Sequence, residues 1–519
     1  MVYCGKPSRG CENCRKHHKK CDEKRPACSR CLKLKRTCLG YRDQIDLIFR
    51  DETSQVQARS RQRRACTGTS SNCIRLHTSS WSHAFADVLQ LPITLSPSME
   101  DTVVSHFYHT TLETISDEDP VHFLHSQLPS LYARGSPKSA LRLATEAISY
   151  AASRQYIRQG ALVARERYVK AVKAIRQAVQ DPVEAQDPAV LYAILLLSGF
   201  ETMIGDLESP LAWGTHLDGA AAVARIQVAS HGNSALSRGI FGFILKGTVL
   251  IHMQSCQPMG ETSVLFNATA TTSHQNPEGA LFSLAAKIPN LQHKSSHILA
   301  RSPAVEQSHV QRLLQCARRI DQDLLDWADA VRETWPYIVA VDIDQLSDLS
   351  YTPREIHRYP SFYTARVWNC YRVSRLIVQS ILHRANVRLS TFEGASNNAH
   401  HEIEESEEQS NMLVNDICAS VPFLLGNDLS RMKLLSPTSI VAAIEAKNRE
   451  HAPATGRFSL ILPLRVACSA SSVPRAQKEW IHLQLQLMAE CGEPQARLAG
   501  LTGSQILRGG SDSIRFDCV

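Results

Sequence analysis

Six cysteines, Cys11, Cys14, Cys21, Cys28, Cys31 and Cys38, fall in the spacing C-x2-C-x6-C-x6-C-x2-C-x6-C. The spacing is two copies of one unit, a C-x2-C pair with a third cysteine after six intervening residues. Each copy can fold in the same way around one metal ion. Zinc takes four tetrahedral ligands and accepts thiolate sulfur readily. Six cysteines cannot supply two separate four-sulfur sites, but if two thiolates bridge, each of two zinc ions reaches four sulfurs without help from histidine. Six thiolates against two divalent ions leave a net charge of about −2, which surrounding cations offset. Residues 1–40 hold little apolar material, and Leu32, Leu34 and Leu39 are the main candidates for a core. A segment this small needs metal or disulfides to fold. The expectation is an unfolded metal-free segment, with zinc binding supplying the folding free energy.

The competing reading is a disulfide knot of the kind found in cysteine-dense secreted domains. Residues 1–10 are polar and lack the apolar run of a secretory signal. The other ten cysteines are scattered singly from Cys4 to Cys518, which suits a reducing compartment. Metal is therefore favoured over disulfide.

Charge gives the metal site a partner. Residues 1–38 carry twelve Lys or Arg against three acids, a net +9, whereas the whole chain is only +7. Residues 39–64 add +2, so residues 65–519 come to −4. The basicity belongs to the metal-binding segment, and neutralising the thiolates uses only a small part of it. A localised basic patch is the electrostatic footprint of polyanion binding. Between Cys14 and Cys21 the run is Arg15-Lys16-His17-His18-Lys19-Lys20. A short helix starting near Glu12 turns Cys11 and Cys14 toward the metal and these side chains outward. Such a helix can enter a major groove, where Lys or Arg reads guanine O6 and N7. The second half repeats the design with Arg30, Lys33 and Lys35, which suits phosphate contacts, and Pro26 fixes the turn between the halves.

The pattern C-x2-C-Arg-x4-Lys-Cys-Asp, then Pro26-x-Cys28, a second C-x2-C, and Cys38 followed by Gly40-Tyr41 resembles the fungal Zn2Cys6 binuclear cluster transcription factors. Met1 to Ser8, and the stretch from Gly40-Tyr41 through Leu47 and Phe49 to Glu52, resemble one subgroup of them. The resemblance implies that Cys11 and Cys28 bridge two zinc ions, with Cys14 and Cys21 completing one site and Cys31 and Cys38 the other. It also implies major-groove reading of short CGG-like half-sites, a nuclear location, and regulation of RNA polymerase II transcription. One departure stands out: members typically carry Arg or Lys where this chain has His17 and His18. A neutral imidazole offers one donor and one acceptor instead of a point charge.

Beyond the cluster, the chain is long enough for two or three domains. Residues 41–98 form the expected linker, basic and partly disordered. It holds a short amphipathic piece (Ile45, Ile48, Phe49, Val56), too brief for a coiled coil. It also holds Arg59, Arg61, Arg63 and Arg64, which suit a nuclear localisation or phosphate patch and equally a solvated charge run. From Ser98 the pattern turns helical. Ser98 with Asp101 forms a capping-box-like start before Val103, Val104, Phe107 and Leu112. Ser136-Pro137 starts another helix, with Leu141, Ala144 and Ile148 on one face. Tyr168, Val172, Ile175 and Val179 follow at helical steps. Asp187-Pro188 opens Val190 to Phe200, apolar on most sides but about half the ~20 residues of a membrane span, so a soluble chain is expected. Helical segments continue through Trp213–Ile226, Leu236–Met253, Val310–Trp335, Phe362–Leu382 and Trp480–Ala489.

The fold class is mostly α: a small binuclear cluster over 1–40, built from two short helix-loop halves, and a large all-α regulatory domain over 99–508. Two stretches break the helical pattern and are expected to be flexible inserts. One is 257–308, rich in Ser, Thr, His, Asn and Pro. The other is 393–410, which holds Glu402, Glu404, Glu405, Glu407 and Glu408. The glutamates are a candidate contact for the transcription machinery and, on the plainer reading, a solvated loop. Short motifs across 99–508 resemble the helical regulatory domain of the same fungal factors. They include Asp187-Pro188, Trp213-Gly-x-His216, Trp368-Asn369-x-Tyr371-Arg372 and Ile417-Cys418. That resemblance implies ligand sensing, partner contacts or autoinhibition.

No P-loop, GxGxxG after a strand, HExxH or GxSxG occurs, so the chain is not expected to be an enzyme. His400-His401 beside glutamates suits an exposed polar loop better than a metal site. The expected partner is double-stranded DNA, with a homodimer, the transcription machinery and a small-molecule effector as further candidates. Two other classes stay open: a thiolate metal store, which does not need the +9 charge, and a helical scaffold or enzyme that uses the cluster for protein contacts.

Overall fold

The computed structural model describes residues 10–41, 98–114, 119–204, 212–231, 234–259, 276–300, 306–341, 351–392, 398–427, 433–434 and 453–512, with 25, 155, 492 and 502 left out. The sequence readings at 45–56 and 59–64 fall outside these residues. The metal-binding segment and the helical body beyond it are taken separately.

The first segment contains two five-residue helices, α1 (Glu12–Lys16) and α2 (Ser29–Lys33). Both end in the same way. The N–H of Lys19 returns to the carbonyl of Cys14 (2.9 Å), and the N–H of Arg36 returns to that of Cys31 (2.9 Å). His18 and Lys35, each one residue earlier, lie in the left-handed region at φ 51° and 49°. These are the bonds and the left-handed residue of a Schellman stop, repeated at a 17-residue interval that also carries Cys11, Cys14 and Cys21 onto Cys28, Cys31 and Cys38. The repeat in the cysteine spacing is a repeat of backbone structure.

The apolar expectation for this segment is corrected. Leu32, Leu34 and Leu39 are 64%, 53% and 57% exposed. The buried cluster consists of Cys11, Cys14, Cys28 and Cys31, with Cys21, Cys38 and Tyr41 packed against it. Short helices have no room for a second apolar face once the cysteine face is turned inward, so the leucines lie outside.

The body begins with α3 (Met99–Thr114), α4 (Pro120–Arg134), α5 (Ala140–Ala152), α6 (Gly160–Gln180), α7 (Pro188–Ile204), α8 (Ala212–His231) and α9 (Ala235–Ser255). It continues with α10 (Pro277–Ala285), α11 (Ile288–Ile298), α12 (Gln307–Val331), α13 (Phe362–Leu389) and α14 (Asn398–Leu424), and closes with α15 (Pro453–Cys468), α16 (Arg475–Glu490) and α17 (Pro494–Leu501). A small antiparallel sheet of order β2-β1-β3 joins them: β1 (Ile338–Val341), β2 (Glu355–Arg358) and β3 (Lys433–Leu434), with Ile338 opposite Arg358 and Ala340 opposite Leu434.

Local signals explain where the helices start. The Ser98 hydroxyl accepts from the Asp101 N–H (3.0 Å), Asp119 from Val121 (3.0 Å), Asp187 from Ala189 (2.8 Å) and Asn276 from Glu278 (3.0 Å). In the last three cases a proline follows the cap, where its missing N–H costs nothing. Along α12, Val310, Leu313, Leu314, Ala317, Ile320, Leu324, Trp327, Ala328 and Val331 are buried at helical spacing. Relative to the sequence segment 310–335, the helix starts three residues earlier and ends four residues earlier. α9 is long and apolar enough to cross a membrane by composition. Its apolar face is core, however, with Ile240, Phe241, Ile244 and Val249 fully buried. α13 is the central element, buried along most of its length and packed against α12, α14 and α15.

Both expected inserts are corrected in part. Within 257–308, α10 and α11 place Leu281, Phe282, Ile288 and Leu291 in the core. The polar average of the window hides a short apolar series at helical steps, opened by the Asn276-Pro277 start signal. Within 393–410, the glutamates lie on α14, where Glu402 pairs with Arg318 and Glu407 stands 3.7 Å from His383. Glutamate is a good helix former, and the acidic run is the outer face of a helix whose continuation buries Leu413, Val414, Ile417 and Cys418. His400 and His401 are exposed on the same helix.

Candidate metal centre and nucleic-acid interface

In each half the first cysteine of the C-x2-C pair (Cys11, Cys28) immediately precedes the helix and the second (Cys14, Cys31) lies on it, all four are buried, and the third cysteine returns after the left-handed stop. Cys11 Sγ lies 3.6 Å from Cys28 Sγ and 3.8 Å from Cys31 Sγ, and Cys14 Sγ lies 3.8 Å from Cys28 Sγ. A disulfide requires about 2.05 Å, and all six cysteines are free thiols. By contrast, Zn–S bonds of 2.3 Å in a tetrahedron set sulfurs about 3.8 Å apart. Two four-sulfur groups form, each with all its sulfurs within 4.8 Å of one another: Cys11, Cys14, Cys21, Cys28, and Cys11, Cys28, Cys31, Cys38. Cys11 and Cys28 are common to both. Sulfur geometry thus arrives at the shared pair that the zinc arithmetic requires. The donor set fits two zinc ions, and among the described residues no other group of metal-binding side chains comes together in this way.

Hydrogen bonds hold the two halves together. The N–H of Glu12 donates to the carbonyl of Gly40 (3.0 Å), and Asn13 Nδ2 donates to the carbonyl of Thr37 (2.7 Å) and points at Cys31 Sγ (3.8 Å). The Tyr41 hydroxyl donates to the carbonyl of Lys24 (2.5 Å), and the N–H of Ser29 donates to the Asp22 carboxylate (3.1 Å). Those Ser29 bonds hold the Asp22 carboxyl below its usual range. Backbone N–H groups also reach sulfur, from Cys11 to Cys21 Sγ (3.4 Å) and from Cys31 to Cys28 Sγ (3.3 Å). Burial pushes the Cys11 thiol far up and the Cys14 thiol up to about 11, while the backbone N–H groups of Cys28 and Gly40 bring Cys38 down to about 7. A zinc ion supplies the charge that deprotonates a coordinating thiol outright.

Asn13, Asp22 and Tyr41 were missed as site residues in the sequence. Asn13 lies between two ligands on a five-residue helix, and that confinement was the available signal.

The basic residues face the other way. Arg15 and Lys16 lie on α1, Arg30 and Lys33 on α2. Lys16, His17, His18, Lys19, Lys20, Arg30, Lys33 and Lys35 are all exposed. Lys16 pairs with Glu12 (2.8 Å) across an exposed helical turn, an interaction worth only a few tenths of a kcal/mol, so it remains available. Arg36 Nη1 lies 3.4 Å from His17 Nε2 and links the two helix ends. In the body, His216 accepts or donates a 2.8 Å bond with the Tyr168 hydroxyl, and Trp368 and Arg372 are core residues of α13.

Comparison with known proteins agrees with this geometry. Residues 9–47 match the family model of the fungal Zn(2)-Cys(6) binuclear cluster domain, and residues 139–256 match that of the fungal specific transcription factor domain. No curated protein and no solved structure matches the chain. The segment around the cysteines is thus a binuclear cluster domain that binds two zinc ions. With the second domain following it, the chain is a DNA-binding transcription regulator; neither matched family is an enzyme.

Proposed function

We propose that the protein is a nuclear, sequence-specific regulator of RNA polymerase II transcription, in which residues 1–40 bind DNA, 41–98 tether and 99–508 regulate. The observation that carries this reading is the two-sided build of the first segment: a core made of thiols and a surface of exposed cations. Cys11 and Cys28 bridge the ions, Cys14 and Cys21 complete one, and Cys31 and Cys38 complete the other. α1 and the turn that follows it enter the major groove of a CGG-like half-site with Arg15, Lys16, His17, His18, Lys19 and Lys20, while Arg30, Lys33 and Lys35 lie along phosphates. Phosphate contacts dominate affinity and make it fall with salt. A single cluster covers few base pairs, so a homodimer on paired half-sites is the accompanying proposal.

Selection of bound sequences from a random DNA pool by residues 1–100, with and without chelator, tests this. Enrichment of a CGG-like motif only with zinc is expected, and paired motifs at fixed spacing support the dimer. Tight, specific binding by the chelated protein, or zinc binding with no affinity for any DNA, would reject the reading in favour of a metal store or a protein-contact module.

A further inference from the structure

The helical body contains a cavity of about 1070 Å³ bordered by α12, α13, α14, the approach to β2 and the start of α16. Small-molecule pockets typically run from about 300 to 1,000 Å³, so this one admits a ligand of several rings. The DNA-binding reading of the first segment makes no use of it.

One wall is aromatic. Tyr337 and Trp368 meet edge to face with ring centres 5.3 Å apart, and Trp368 meets Tyr371 at 5.6 Å. The charged lining comprises Arg332, Arg354, Arg372 and Arg375 against Glu355 and Asp416. The two inner arginines are fixed. Arg372 donates from Nη1 to the Tyr359 hydroxyl (2.7 Å) and to Asn369 Oδ1 (2.9 Å), and its guanidinium lies 5.4 Å from the centre of the Tyr337 ring. Arg375 is forked onto Asp321 through Nε (2.8 Å) and Nη2 (3.0 Å). Arg332 and Arg354 are exposed. The Arg332 guanidinium reaches Asp329 at only 3.6 Å across exposed surface, so both are free to turn toward an anion.

Two further details favour a ligand with specific polarity. The Asn411 side-chain oxygen beside the cavity is buried without a hydrogen-bond partner, and native proteins seldom leave such an atom unsatisfied. Asp416 lies 3.6 Å from Arg372 Nε and Asp321 holds Arg375, so the positive charge open to a ligand is that of the exposed Arg332 and Arg354.

We propose that this cavity binds a small organic anion combining a carboxylate with a flat unsaturated ring. The arginines hold the carboxylate, the Tyr337 and Trp368 wall receives the ring, and a hydroxyl or N–H on the ligand satisfies Asn411. The proposal rests on the regulatory reading of the helical body and gives that body a class of molecule to sense.

Full-length, zinc-loaded protein is titrated with 1-naphthoate and indole-3-carboxylate, with 1-naphthalenemethanol and 1-naphthylmethylamine as neutral and cationic counterparts. Tryptophan fluorescence and Tm are followed. The carboxylates are expected to quench saturably and to raise Tm, and the counterparts are not. The double variant R332Q/R354Q, confined to exposed side chains, is expected to weaken binding about tenfold or more, the size of a lost charged hydrogen bond. Met412→Trp, at a half-exposed lining position, is expected to block binding by filling the space. No saturable quenching by either carboxylate at about 1 mM, the threshold of weak specific binding, overturns the proposal. Equal binding of the amine, or undiminished binding by R332Q/R354Q, does the same. A gel shift on the same preparation keeps the readings apart: intact DNA binding with an inert cavity rejects only the ligand site, and failed DNA binding rejects the function itself.

Discussion

His18 and Lys35 hold the same place in the two halves of the metal-binding segment. Each is the left-handed residue that stops its helix, at φ 51° and 49°, and each lies three residues before the last cysteine of its half. The repeat therefore tests what a lysine does at position 18, because the protein already carries one at the equivalent position.

His18→Lys is expected to leave the fold and zinc content unchanged, since Lys35 shows that this conformation accepts a lysine. It places a lysine ammonium on the exposed face of the first half. DNA affinity should rise, and the slope of log affinity against log salt should steepen by about 0.9 if the new cation meets a phosphate. Fluorescence anisotropy at several salt concentrations checks this; an unaltered slope would place His18 away from the backbone.

Cys11 and Cys28 belong to both sulfur groups, and the other four cysteines belong to one each. Cys28→Ser should therefore release both zinc ions, whereas Cys38→Ser should leave the group of Cys11, Cys14, Cys21 and Cys28 able to keep one. Native mass spectrometry of the two variants reads the stoichiometry directly. Equal loss in both would mean that the cluster has no preferred bridging pair.

Chelation should separate the two parts of the chain. With Leu32, Leu34 and Leu39 exposed, the described N-terminal segment has no apolar core to survive on, and removal of zinc should unfold it. The helical body has a large buried apolar cluster with no such dependence. Excess chelator is expected to abolish protection from proteolysis around the cysteines while most of the helical circular dichroism remains. Replacing the three leucines by serine should leave zinc binding intact.

The metal site was legible because ligand spacing is a local property: 11, 14 and 21 and their copies at 28, 31 and 38 need no distant partner to be recognised. Helix starts at Ser98 and Asp187 were legible for the same reason. What escaped the sequence depends on contacts across the chain. α10 and α11 lie in a window that is polar on average, and they are helices because Leu281, Ile288 and Leu291 find a core built by residues far away. The thiol-only core beneath α1 and α2 inverted the role assigned to the leucines, because cysteine burial leaves them no inner face. The cavity between α12, α13 and α14 was legible only in part: Trp368, Tyr371 and Arg372 fall in one short motif on α13, but Arg332, Tyr337, Arg354 and Asn411 reach it from other parts of the chain.

Glu278 illustrates the last of these and carries the final prediction. It lies at the start of α10, in the stretch whose composition suggested a loop, yet its side chain is buried among Lys246 (2.9 Å), the Tyr363 hydroxyl (3.1 Å) and Arg366 (3.5 Å). Arg366 also meets Asp119 (3.2 Å), so two cations and two carboxylates balance inside the core. Burial alone raises the Glu278 carboxyl, but the charges of Lys246 and Arg366 outweigh it and the net shift is downward. A carboxyl held down in the folded state stabilises fully above its unfolded value of about 4.3 and loses that contribution as pH falls through the folded value. Glu278→Gln leaves the buried cluster one negative charge short, with Lys246 losing its carboxylate, and should cost about 3–5 kcal/mol near neutral pH. The gap between the two proteins should hold at about pH 5 and narrow below about pH 4, where the wild-type carboxyl protonates as well. Urea melts of both proteins across that range measure it. A gap that stayed constant into acid would mean that Glu278 acts through its shape and hydrogen bonds, not its charge.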